Sequence, residues 1–106
     1  MESKVIFADL KLKEAFLELE RADPRLYKEI NKAIEDIKQN AYCGRNVKKA
    51  LIPKELIIKY NLNNLWIYNL RVDWRLIYTI SNTEIEVLSI VLDWMNHKDY
   101  ERLFNF

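Results

Sequence analysis

Residues 65–81, LWIYNLRVDWRLIYTIS, limit most sharply what this chain can become. Leu65, Trp66, Ile67, Tyr68, Leu70 and Val72 are aromatic or branched, as a pleated, half-buried surface prefers. Trp74, Leu76, Ile77, Tyr78, Thr79 and Ile80 repeat that composition, and the polar break at residues 71–73 joins the two runs as a hairpin. Side chains alternate along a strand, so Trp74, Leu76, Tyr78 and Ile80 share one face while Arg75, Ile77 and Thr79 share the other. Arg75 thus falls mid-sheet among apolar neighbours. A guanidinium there needs an anion, from the chain itself or from a ligand.

The rest of the chain supplies cover for such a sheet. Residues 4–8, KVIFA, read as a first strand, and Asp9 as the N-cap of a helix with Leu12, Ala15, Phe16 and Leu19 on one stripe. Asp23-Pro24 ends that helix and starts a second, whose apolar face is Leu26, Ile30, Ala33, Ile34 and Ile37. The tight connection makes the two an antiparallel helical hairpin. Residues 45–52 are basic and carry no clear periodicity. Pro53 opens a short helix with Leu56 and Ile57 turned inward, and residues 61–64 are a polar turn. Residues 84–94, EIEVLSIVLDW, form a third sheet strand, half exposed at Glu84 and Glu86, then apolar enough from Val87 to Leu92 to be covered on both faces. A short terminal helix or turn follows, packed by Leu103 and Phe104. The expected architecture is α+β in a single domain, residues 1–106: a two-helix hairpin on a small twisted, mainly antiparallel sheet of about four strands.

Composition excludes several classes of function. A chain of 106 residues with one glycine and two prolines has little linker and length enough for a core without disulfide or metal. No apolar run approaches the roughly 20 residues of a membrane helix, and the start does not resemble a signal peptide. The lone Cys43 fits a reducing cytoplasm, and beside Gly44 it reads as structural rather than nucleophilic. One His and one Cys do not supply a transition-metal site, and one glycine does not supply a phosphate loop, so neither metal nor cofactor is expected. Glu84 and Glu86 read as solvated charges.

Charge is concentrated. The whole chain is +1, but Lys38, Arg45, Lys48, Lys49, Lys54, Lys59, Arg71 and Arg75 face only Glu55 and Asp73 across residues 37–75, a local excess of +6. Such a segment is either a solvated lysine face or an anion-binding surface. With His97, Lys98 and Tyr100 it suits phosphodiester recognition: a bidentate arginine, counter-charge from lysine, and an aromatic face for an unpaired base. His97 is the natural proton-transfer group. The alternatives are a capping His97, a core Tyr100, and an Arg75 paired internally with Asp93 or Asp99.

The strand Trp74-Arg75-Leu76-Ile77-Tyr78, with the late pair His97 and Tyr100, resembles the RelE/ParE superfamily of type II toxins, in its RelE-like branch. The helical hairpin, the basic segment ending near Pro53 and the chain length agree with that resemblance. It implies an endoribonuclease that cleaves mRNA in the ribosomal A site by attack of a 2′-hydroxyl on the adjacent phosphodiester. It assigns Arg75 to the phosphate charge, Tyr100 to positioning or stacking the substrate, and His97 or Lys98 to the basic or proton-transferring role. Lys48, Lys49, Lys54, Arg71 and Lys98 would bind RNA, and a cognate antitoxin would be the protein partner. Lysines of the RelE branch on the preceding strand correspond here to Ile67 and Asn69. Those two neutral residues keep open a second reading, a non-enzymatic module that inhibits gyrase or only binds an antitoxin.

Overall fold

The hairpin forms where the alternation places it, in the middle of a mixed sheet. The computed structural model describes residues 1–106 except Val72, Glu84 and Phe106. Val72 as a strand residue and Glu84 as the start of the third strand therefore lie outside the described residues. The elements are β1 (Lys4–Phe7), α1 (Leu10–Ala22), α2 (Pro24–Gln39), β2 (Arg45–Asn46), α3 (Lys54–Tyr60), β3 (Trp66–Asn69), β4 (Trp74–Asn82), β5 (Val87–Asn96) and α4 (His97–Phe104). Sheet order is β1-β5-β4-β3-β2, with β1 parallel to β5 and every other pairing antiparallel. This is the expected α+β arrangement with one strand more than expected. The addition, β2, is too short to show any alternation in the sequence.

Both helices of the hairpin start as their capping residues require. The Asp9 carboxylate accepts from Leu12 N at 2.7 Å and the Asp23 carboxylate from Leu26 N at 3.2 Å, with Pro24 in the first turn. Their stripes cover one sheet face, where Phe16, Leu26, Ile30, Ala33, Ile34 and Ile37 meet Leu76, Tyr78, Ile80 and Val91. The other face is also covered. There α3, α4 and the segment around Val47 and Ile52 pack Leu56 and Tyr100 onto Ile67, Ile77, Leu92 and Met95. Two apolar faces explain why β4 and β5 read as nearly continuous apolar runs.

Three details differ from the sequence expectation. The third sheet strand begins only at Val87: ahead of it Thr83 N and Thr83 Oγ1 both donate to Glu86 O at 2.9 Å, and Ile85 stands 94 % exposed. Ile57 lies on the outer side of α3, since a seven-residue helix buries only Leu56 fully. A β-bulge between Ile77 and Tyr78 sets both Leu92 and Asp93 against one step of β4. The extra residue inverts the alternation of β5, sending Trp94 to the hairpin face and Met95 to the other.

One polar contact ties α2 to the sheet. The Tyr68 hydroxyl donates to the Asp36 carboxylate, which also receives Lys32 Nζ at 3.0 Å. The Tyr68 hydroxyl first, and Lys32 second, hold the Asp36 carboxyl below the usual carboxylate range. A lowered folded-state pKa adds stability that is present above the unfolded carboxylate range and is lost as pH falls through the folded value. Tyr68→Phe is therefore expected to cost about 1 kcal/mol near neutral pH, the low end for a charged acceptor because Asp36 is partly exposed. Urea unfolding of both proteins should show the difference shrinking towards zero in strong acid; a cost equal at both pH values would assign it to packing instead.

Candidate active site

Arg75 enters β4 one residue after the hairpin turn, in register with Asn69 on β3 and Met95 on β5. That register puts it on the face covered by α3 and α4. Its guanidinium carbon lies 5.5 Å from the centre of the Tyr100 ring, a cation–π distance, and Nη1 donates to Trp74 O at 3.2 Å. Arg75 Nε is buried with no hydrogen-bond partner among the described residues. The internal partners considered for it are engaged elsewhere: Asp99 lies 3.6 Å from Arg102, and Asp93 Oδ1 accepts from Trp94 N at 2.8 Å.

His97 and Tyr100 reach the same place because α4 begins directly at the end of β5. Asn96 caps it, its Oδ1 accepting from Asp99 N at 2.8 Å. Residues three apart on a helix share a face, and the His97 and Tyr100 rings lie 6.4 Å apart and nearly parallel. His97 Nε2 lies 2.7 Å from Glu101 Oε1, so Nε2–H can donate to that carboxylate and leave Nδ1 as the available acceptor. A hollow of about 450 Å³ beside it is lined by Asp73, Asn96, His97, Lys98 and Glu101. Tyr100 is only 5 % exposed and packs on Phe104 with 4.7 Å between ring centres. In this arrangement it holds Arg75 rather than offering an open face to a base.

The structure also brings in Arg45, which the sequence reading counted in the basic segment without placing at the site. Arg45 pairs with Ile67, and its Nη2 makes a long hydrogen bond, 3.4 Å, to the Tyr100 hydroxyl. Its position depends on Gly44. Gly44 N donates to the Tyr78 hydroxyl at 3.1 Å, which in turn donates to Ala41 O at 2.7 Å. The signal available in the sequence was Gly44 itself, the chain's one glycine, standing directly before an arginine.

The other basic residues divide. Lys98 borders the hollow beside His97. Lys48, Lys49 and Lys54 are exposed on the segment covering the same sheet face, with no side-chain hydrogen bond or ion pair among the described residues. Arg71 points the other way, with Nε 3.7 Å from Glu29 Oε1 on α2, and does not join the Arg75 cluster. Cys43 is exposed, and desolvation first, with the Asp36 carboxylate second, raises its thiol, which disfavours the thiolate. No set of three or more His, Cys, Asp or Glu able to hold a metal occurs among the described residues.

Comparison with known proteins bears on this geometry through the backbone. No protein-family model matches the sequence and no curated protein matches it. In three dimensions the chain superposes on a YoeB/ParE toxin from Agrobacterium tumefaciens with a TM-score of 0.61, over 89 % of this chain and 98 % of that one, at 17 % identity. The fold is that of the RelE/ParE toxins. In this RelE/ParE fold the Arg45–Tyr100–Arg75 cluster occupies the sheet face opposite the helical hairpin.

Gly44 supplies a direct test of how the cluster is held. A Cβ there would lie 2.7 Å from the Tyr78 hydroxyl and 2.8 Å from Ile67 O, neither of them the free end of a flexible chain. Gly44→Ala should cost about 1–3 kcal/mol and displace β2. Chemical denaturation measures the cost, and loss of the Arg45–Tyr100 proximity in NMR measures the displacement. An alanine protein of unchanged stability and unchanged spectra would show that the clasp does not place Arg45.

Proposed function

We propose that this chain is the toxin of a type II toxin–antitoxin pair, an endoribonuclease of the RelE kind acting on ribosome-bound mRNA in the cytoplasm. The observation that carries this reading is a half-buried Arg75 guanidinium, packed on Tyr100, with a buried Nε that has no partner among the described residues. Leaving a buried charged donor unpaired costs several times more than a surface contact returns, and a phosphodiester would pair it. In the reaction proposed, the 2′-hydroxyl of one nucleotide bonds to the adjacent phosphorus and the bond to the 5′-oxygen breaks. His97 Nδ1 takes the 2′-proton, with Glu101 steadying the imidazolium through Nε2. Arg75 balances the charge that builds on the phosphoryl oxygens. The departing 5′-oxygen takes a proton from water, the His97 imidazolium returns its proton to the hydroxide so formed, and the products are a 5′-hydroxyl and a 2′,3′-cyclic phosphate.

The protein partner of such a toxin is an antitoxin. Three surface apolar residues support a docking role for the first part of the chain: Ile6 on the edge strand β1, and Leu10 and Leu17 on α1, are all exposed. An acidic amphipathic segment could pair with that edge or lie along that helix.

A second reading has its own observation. Ile67 is buried and Asn69 is neutral, so β3 offers no cation to the site. That favours a binding module on the same scaffold, a gyrase-type inhibitor or an antitoxin-binding relic. The two separate on induced expression of wild type and Arg75→Ala, with primer extension on ribosome-associated mRNA. The ribonuclease reading expects A-site cuts that fall by about 100-fold or more in the variant. Growth arrest with intact messages and inhibited supercoiling would replace it with the second.

A further inference from the structure

Arg45 has no role in the chemistry just described, yet its placement is specific. In the β2–β3–β4 register Arg45 stands beside Ile67, which stands beside Ile77, and both isoleucines are buried under α3 and α4. Arg45 therefore projects from the same face as Arg75, which lies one row along, beside Asn69. The two guanidinium groups approach Tyr100 from different sides, one 3.4 Å from its hydroxyl and the other 5.5 Å from its ring centre. The ion pairs among the described residues include neither arginine. Two cations converging on a neutral phenol repel each other, and an anion held between them would reverse the sign of that interaction. On the open side of Arg45 a groove of about 340 Å³ is lined by Cys43, Gly44, Arg45, Ile67, Tyr68 and Asn69, so a ligand can reach Arg45 from the sheet edge; Asn69, at its far end, is the residue paired with Arg75.

We infer that Arg45 is a second phosphate-contacting residue, closing with Arg75 as a two-arginine clamp on one phosphodiester. Each planar fork takes one non-bridging oxygen, and the Tyr100 hydroxyl spaces the two. Because β3 brings no cation, Arg45 on the neighbouring edge strand supplies the second positive charge of this face. The substrate class, RNA, rests on the ribonuclease reading. The clamp itself does not, and is tested without cleavage.

The test titrates wild type, Arg45→Ala, Arg45→Lys and Arg75→Ala with inorganic phosphate and then with a 2′-O-methyl RNA hexamer, which lacks the attacking hydroxyl. The arginine Nε–H signals in NMR report binding. Wild type should show both the Arg45 and Arg75 signals moving together. Each alanine variant should bind the hexamer about ten-fold more weakly, the size of one charge-assisted contact. Arg45→Lys should recover less than half of that loss, since it restores charge without the fork. Affinities unchanged in Arg45→Ala, full recovery in Arg45→Lys, or no binding of either probe by wild type would each overturn the clamp. Arg45→Gln, with its melting temperature, guards against a folding defect. A clamp that binds both probes in a protein that cuts no RNA would retire the ribonuclease reading and leave the clamp standing.

Discussion

The placement of β2 rests on one buried hydroxyl. Tyr78 sits in the middle of β4 with no exposed surface, its ring in the core between sheet and helical hairpin. A hydroxyl buried that deeply must be satisfied, and the chain leaving α2 satisfies it twice, through Ala41 O and Gly44 N. Those two bonds fix where the polypeptide meets the sheet edge. They decide that Arg45, the next residue, pairs with Ile67 and stands on the opposite face from the helical hairpin. Only glycine fits beside that hydroxyl, because any Cβ would meet both it and a backbone carbonyl.

A second constraint acts from the other end of the chain. The bulge in β5 inverts the alternation after Leu92, so the strand arrives at Asn96 with Met95 under α4 and Trp94 under the hairpin. Helix α4 then starts without a connecting loop. Its first turn is held by the Asn96 cap, and Tyr100 is thereby turned onto the sheet beside Arg75. Two distant segments, residues 44–46 and 96–100, are brought together over one short stretch of β3 and β4. The rigidity of that meeting comes from buried aromatic packing, not from surface ion pairs, which contribute little in water.

Charge follows from this geometry rather than from net composition. Arg71 and Arg75 are four residues apart, on either side of the hairpin turn, yet Arg71 finds Glu29 on α2 whereas Arg75 pairs with no carboxylate among the described residues. The face opposite the helical hairpin carries Arg45, Arg75 and the lysines of residues 48–59 together with Glu55, Asp93 and Asp99, and those carboxylates gather near Lys59. A nearly neutral chain can therefore present a local cationic surface, since screening limits each charge to its neighbours within roughly 8–10 Å.

Periodicity and capping residues made much of this fold legible in the sequence. The central hairpin, both long helices with Asp9 and Asp23 at their starts, and the double cover of β5 all follow from side-chain alternation and from orphan N–H groups that need a carboxylate. Arg75 was legible as a charge on an apolar strand, and His97 and Tyr100 as the chain's one histidine and a late aromatic residue flanking Lys98. The tertiary structure alone decided the rest. A two-residue strand has no period, so Arg45 could not be placed; a bulge adds one residue without changing composition, so the inversion at Leu92 left no trace. Arg71 and Arg75 look alike along the chain, and only the packing of α2 against the turn distinguishes the one that is paired from the one that is available.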